Sequence, residues 1–267
     1  MVVRARKRFG QHFLHDKNVI DSIVEHVEFR EDQTLVEIGP GTGALTIPLL
    51  ARANKLHVIE IDTDLAKLLE TRFGADGKLV IHREDVLKFD FCNRFVGMLT
   101  IIGNLPYNIS TPLLFHLLAQ AVCIEQMIFM LQKEVADRIC AEPGTRDYGR
   151  LSIMVQSLCR VQWLLNVGAD SFTPPPKVES AVIKLYPAKT TINKIEDRKL
   201  FNDLVRTAFS KRRKTIRNAL KSIVSEQILM DVGITTSSRP EEISVETYIS
   251  LANAVHQGRG DENQNYT

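Results

Sequence analysis

The stretch Val36-Glu37-Ile38-Gly39-Pro40-Gly41-Thr42-Gly43-Ala44-Leu45-Thr46 runs from apolar residues into a glycine cluster and out into a helix-like pattern. Such a run describes a strand, a tight turn and a helix. Gly39, Gly41 and Gly43 give G-x-G-x-G. Without Cβ atoms the main chain can turn with positive φ and pass close beneath a ligand of nucleotide type. The dinucleotide fingerprint is G-x-G-x-x-G, so the turn alone does not decide the ligand and its neighbours must.

Outward from the turn, 21 residues beyond Gly39, Leu56-His57-Val58-Ile59-Glu60 reads as a second buried strand closed by a carboxylate. An acid at that place can accept hydrogen bonds from both hydroxyls of a ribose. Leu79 to His82 is a third strand, and Asp85 follows it as Glu60 follows the second. Asp85 is placed to accept from an exocyclic amine, with a helix cap as the alternative.

A fourth strand, Leu99 to Gly103, ends in Asn104-Leu105-Pro106-Tyr107. These residues supply a side-chain carbonyl, a main-chain carbonyl held by proline, and a ring face. A planar amine suits all three. The exocyclic amine of a nucleobase is a poor nucleophile because its lone pair is delocalised into the ring. If Asn104 Oδ1 and the carbonyl near Leu105-Pro106 accept its two N–H groups, the nitrogen can pyramidalise towards an electrophile while Tyr107 stacks on the base. Further on, Phe172-Thr173-Pro174-Pro175-Pro176-Lys177 has three prolines that stiffen the backbone and pre-set the Phe172 ring. Stacking opposite Tyr107 is expected of it, with burial in the loop core as the alternative.

The chain has 267 residues, 44% of them hydrophobic, which is enough for a large domain with or without a small companion. No apolar run of about 18 residues and no signal-peptide h-region occur, so no membrane partner and a cytoplasmic location are expected. Cys92, Cys123, Cys140 and Cys159 are scattered without C-x-x-C spacing. They are expected to be reduced, with neither a zinc site nor a disulfide framework, and no metal is called for.

The net charge of +2 is unevenly spread. Arg4, Arg6, Lys7 and Arg8 give +4 in the first ten residues, and 192–221 carry +7, leaving −9 for the rest. Basic ends around an acidic middle suggest a polyanion partner. Pro187 to Thr191 reads as a linker; beyond it Leu200, Phe201, Leu204, Val205, Ala208 and Phe209 recur at helical spacing. Lys211, Arg212, Arg213, Lys214 and Arg217 continue as a basic face. The polar residues 257–267 are expected to be disordered.

With FGQHFL (9–14), VIEID (58–62), NLPYNISTPLLFHLL (104–118), FMLQKEVADRI (129–139), YGRLS (148–152), FTPPPKVESAVIKL (172–185) and AFSKRRKTIRNAL (208–220), the chain resembles the S-adenosylmethionine-dependent adenine-N6 dimethyltransferases of small-subunit, 16S-type ribosomal RNA. The resemblance covers nearly the whole chain. NLPY with FTPPPKV is far more specific than the glycine turn.

The resemblance implies an α/β fold of the class I methyltransferase type, a Rossmann-like doubly wound sheet over 1–187, followed by a small all-α, basic, RNA-contacting domain over 192–256. It implies S-adenosylmethionine bound by His12, Leu14, Gly39, Gly41, Glu60, Asp85 and Asn104, with catalysis by Asn104, Pro106, Tyr107 and Phe172. His12 stands where some members have Asn. RNA contacts are expected at Arg4, Arg6, Lys7 and Arg8 and at the basic face, on a monomer acting on a pre-assembled 30S-type particle. Two other functions fit parts of the pattern: a large-subunit RNA or DNA adenine methyltransferase, and an RNA-binding assembly or transcription factor that keeps the fold without catalysis.

Overall fold

The computed structural model describes Arg6, 11–188, 194–210 and 214–264. In chain order it contains β1 (Phe13–Leu14), α1 (Lys17–Glu25), β2 (Gln33–Ile38), α2 (Thr46–Arg52), β3 (Leu56–Ile59), α3 (Thr63–Phe73), β4 (Leu79–His82), α4 (Phe91–Arg94), β5 (Met98–Asn104), α5 (Ser110–Ala119) and β6 (Ile124–Gln132). There follow α6 (Lys133–Cys140), α7 (Arg150–Gln156), β7 (Cys159–Val167), β8 (Phe172–Thr173), β9 (Ser180–Pro187), α8 (Arg198–Ala208), α9 (Ile216–Leu220), α10 (Glu226–Asp231) and α11 (Val245–Gln264).

Seven strands form one sheet in the order β4-β3-β2-β5-β6-β9-β7. β4, β3, β2, β5 and β6 run parallel, and β9 is antiparallel to β6. A parallel sheet covered on both faces needs continuous apolar strands rather than alternating ones. Leu35, Val36 and Ile38 of β2 and Leu99, Ile101 and Ile102 of β5 meet that need, all buried. The chain winds outward from β2 to β4, then returns to start again at β5 beside β2. That reversal opens a crevice at the carboxyl ends of the strands, where open α/β sheets take ligands. Gly103 lets β5 approach β2 at this place, since a Cβ there would lie 2.7 Å from the Ile38 carbonyl oxygen.

The chain divides into two compact units, 1–136 with 161–187, and 137–160 with 188–267. A first domain continuous to 187 was expected; instead 137–160 cluster with the helical unit, because α7 buries Ile153 and Val155 and packs against α8. In that unit α8 turns Leu200, Phe201, Leu204, Val205 and Ala208 inward, and Asp197 caps its first turn through Leu200 N–H at 2.9 Å. The closing α11 continues to Gln264, so its helical backbone replaces the disorder expected over 257–264, and 265–267 lie outside the described residues.

Two of the cysteines depart from expectation. Cys92 and Cys123 form a disulfide, whereas Cys140 and Cys159 are free. The partners are 31 residues apart, and only the folding of α4 against the turn before β6 brings their Cα atoms to 5.5 Å.

Candidate active site

Four strand ends deliver residues to a cavity of about 250 Å³. Gly39 and Gly41 follow β2, Glu60 follows β3, Asp85 lies beyond β4, and Asn104 is the last residue of β5; all line the cavity, as do His12, Leu14, Pro106 and Tyr107. Gly39 and Gly41 adopt φ of +64° and +58°, and a Cβ on Gly41 would come within 3.2 Å of the Phe13 ring. Only glycine satisfies both constraints at Gly41.

Glu60 is 6% exposed and accepts a hydrogen bond from Asp62 N–H at 2.8 Å. Burial pushes its carboxyl up to about 7, against the opposing pull of the Asp62, Gly41 and Ile61 amides. The glycine turn and the ribose-type acid are thus joined through the Gly41 amide. Asp85 takes the cap considered for it, Oδ1 accepting from Leu87 N–H at 3.0 Å, and the residue also lines the cavity.

The sequence did not single out Glu37, yet it lines the same cavity at 1% exposure. Its Oε2 accepts from Thr46 Oγ at 2.7 Å, and burial first, then the charge of Glu60, pushes its carboxyl up to about 8. A charged residue inside an apolar strand was the available signal. Among the described lining residues Glu37, Glu60, Glu84 and Asp85 are acidic and none is Lys or Arg, so no fixed positive charge opposes a cationic ligand.

At the other wall Asn104 donates through Nδ2 to the His12 carbonyl at 3.1 Å, which leaves Oδ1 turned to other uses. Tyr107 is half-buried and its hydroxyl meets Ser180 Oγ at 2.7 Å. The Pro106 carbonyl accepts from Ile109 N–H at 3.1 Å in the turn that enters α5, so the proline shapes that turn. Phe172 takes the alternative considered for it, burial, and not the expected place opposite Tyr107. Opposite Leu14 in the β1–β8 pair, it is 2% exposed and belongs to the core cluster with Leu14, Met130 and Val182, not to the cavity lining. Its ring is a core element in this structure.

A family model described as Ribosomal RNA adenine dimethylase matches residues 2–257. The chain belongs to that family. Ribosomal RNA small subunit methyltransferase A of Alcanivorax borkumensis is 50% identical, covering 98% of this chain and 99% of the relative. The protein of the same name from Pseudomonas aeruginosa is 49% identical over 97% of each. Among solved structures, a dimethyladenosine transferase from Plasmodium falciparum superposes with a TM-score of 0.81 at 27% identity, covering 92% of this chain and 98% of that one. The 23S rRNA methyltransferase ErmE gives 0.70 at 25% identity, over 92% and 100%.

For a ribosomal RNA adenine dimethylase, the basic residues are placed less simply than the pocket. Arg4, Lys7, Arg8, Lys211, Arg212 and Arg213 lie outside the described residues. Arg6 was expected to face RNA, but its guanidinium pairs with Asp62 at 3.1 Å and with Asp64. Gln11 completes that knot, accepting from Arg6 N–H at 2.8 Å and donating to Asp62 at 3.2 Å. Arg217 pairs with Glu226 at 3.3 Å, and Lys214 is exposed. No helix among the described residues is long and apolar enough to cross a membrane.

Proposed function

We propose that the cavity binds S-adenosylmethionine and an extruded adenine side by side, and that the chain dimethylates N6 of adenines, two adjacent ones, in small-subunit ribosomal RNA. As a family member the chain is an adenine dimethylase of ribosomal RNA. Glu60 would take the two ribose hydroxyls, Asp85 the adenine amine of the cofactor, and the Gly39–Gly41 turn the close approach of its main body. The described lining holds no Lys or Arg to oppose the positive charge of a sulfonium. When bound, the cofactor supplies a methyl group already activated by that sulfonium.

One observation carries the catalytic part: Nδ2 of Asn104 is held by the His12 carbonyl at 3.1 Å, so Oδ1 is the end left to accept. Asn104 Oδ1 and the Leu105 carbonyl would draw the two N–H groups of the target amine, and the nitrogen lone pair then forms the new N–C bond as the C–S bond breaks. The extra proton leaves from nitrogen to water. Tyr107 would hold the base by its ring face. Such a displacement needs placement more than a strong base.

Relatives near 50% identity carry the small-subunit name, which favours that substrate over large-subunit RNA. The monomeric enzyme would act in the cytoplasm on a pre-assembled 30S-type particle. The test compares methyl transfer to unmethylated small subunits, large-subunit RNA and duplex DNA. Transfer to the small subunit alone is expected; preference for another substrate, or particle binding without transfer, would overturn this assignment.

A further inference from the structure

An asparagine amide has a carbonyl end and an NH2 end of nearly equal size, so the shape of a cavity does not choose between them. A hydrogen-bonding neighbour must. For Asn104 that neighbour is the main-chain carbonyl of His12, 92 residues away in sequence. A carbonyl cannot donate. An amide turned the other way would set two oxygens against each other, lose the 3.1 Å bond, and offer the amine a donor where it needs an acceptor.

The His12 carbonyl is held in turn by its own side chain. The imidazole Nδ1 lies 2.7 Å from the Pro174 carbonyl oxygen, which obliges Nδ1 to carry a hydrogen and donate it. The ring also stacks on Tyr107, with centroids 5.7 Å apart and planes 25° from parallel. Immediately after it Phe13 and Leu14 pair with Thr173 and Phe172. One residue therefore connects the triple-proline segment, the NLPY turn and the end of β5.

We propose that His12 is the positioning residue that fixes Asn104 as a hydrogen-bond acceptor, acting from its Nδ1–H bond to Pro174 through its main-chain carbonyl. This rests on Asn104 being the acceptor of the target amine. What the position then requires is a donor at the δ atom, not an imidazole. His12→Asn keeps such a donor and removes the ring; His12→Phe keeps a ring for Tyr107 and removes the donor.

The experiment measures single-turnover methyl transfer to unmethylated small subunits for the full chain, His12→Asn, His12→Phe, Asn104→Ala and the double variant His12→Phe/Asn104→Ala. Cofactor affinity by calorimetry and the thermal midpoint are recorded for each. His12→Phe is expected to slow transfer about tenfold, the worth of one hydrogen bond, while His12→Asn, which restores the donor, should lose several-fold less than His12→Phe. In the Asn104→Ala background His12→Phe should cost less than about twofold, because the group through which it acts is gone. Equal losses in both backgrounds, or His12→Asn falling as far as His12→Phe, would overturn the proposal. Wild-type transfer by Asn104→Ala would remove the amine acceptor itself. A slow Asn104→Ala beside a fully active His12→Phe would leave that acceptor standing and reject the role of His12.

Discussion

The strand ends of the sheet and the basic stretches of the chain carry polar residues of equal promise in the sequence, but the structure holds them differently. Glu60, Asp85 and Asn104 each sit at or just beyond the end of a strand whose parallel register leaves no freedom of placement. Arg6 and Arg217 sit on surfaces where the nearest opposite charge engages them, Asp62 and Asp64 for one and Glu226 for the other. A residue type at a strand end announces its environment, whereas a run of positive charge announces only that it is solvated near anions of some kind, internal ones included.

The first way to sharpen that contrast lies in the core, opposite Leu14 of the pocket wall. Phe172→Ala should destabilise the fold by about 3–5 kcal/mol, as expected for an aromatic ring removed from a packed core. Phe172→Leu should retain most stability and, if the ring is only a core element, most methyl transfer. Denaturant titrations of both variants measure the first effect. A large loss of transfer in a stable Phe172→Leu would return the ring to the substrate.

Asn104→Ala should lower single-turnover transfer by about 10²–10³-fold, the scale of one donor or acceptor aimed at a transition state. Cofactor affinity should change far less. Transfer near the wild-type rate with saturating RNA would mean that placement at the end of β5 confers no catalytic role.

Glu60→Ala should weaken cofactor binding by about 1.5–3 kcal/mol if its ionised carboxylate accepts both ribose hydroxyls. The pH dependence gives the same test without a mutation. Burial places Glu60 at about 7 in the free protein, and hydroxyl donors favour its ionised form. Affinity should therefore be greatest above pH 7 and fall below it, by at most about tenfold per pH unit. Calorimetric affinity that is flat between pH 5.5 and 8.5 on this order would remove Glu60 from the ribose.

The smallest effects belong to the basic surface. Lys214→Ala should reduce the slope of log affinity for RNA against log salt by roughly 0.7–0.9, the contribution of one phosphate contact. Arg217→Ala should change stability by only about 0–1 kcal/mol, as for other exposed ion pairs, and change the salt slope less than Lys214→Ala does. A larger slope change for Arg217 would show that it leaves Glu226 for phosphate.

How much was legible follows from the same contrast. The parallel sheet, the glycine turn and three strand-end polar residues could be read because apolar runs ending in Glu60, Asp85 and Asn104 leave few other places for those side chains. Glu37 was hidden inside a strand, and its burial depends on the Thr46 hydroxyl nine residues on. The choice between stacking and burial for Phe172 was not legible because a strand of two residues carries no alternation to show which way its ring turns. The Cys92–Cys123 bond and the grouping of 137–160 with the helical unit come from contacts between separate elements, which local spacing does not encode.

The central claim is that this pocket places two methyl groups on N6 of an adenine. Its most direct measurement is mass spectrometry of nucleosides from unmethylated small-subunit RNA, after incubation of the particles with the protein and methyl-labelled S-adenosylmethionine. Label in N6,N6-dimethyladenosine is the predicted result. Label confined to another nucleoside, or none in adenosine while the cofactor demonstrably binds, would contradict it.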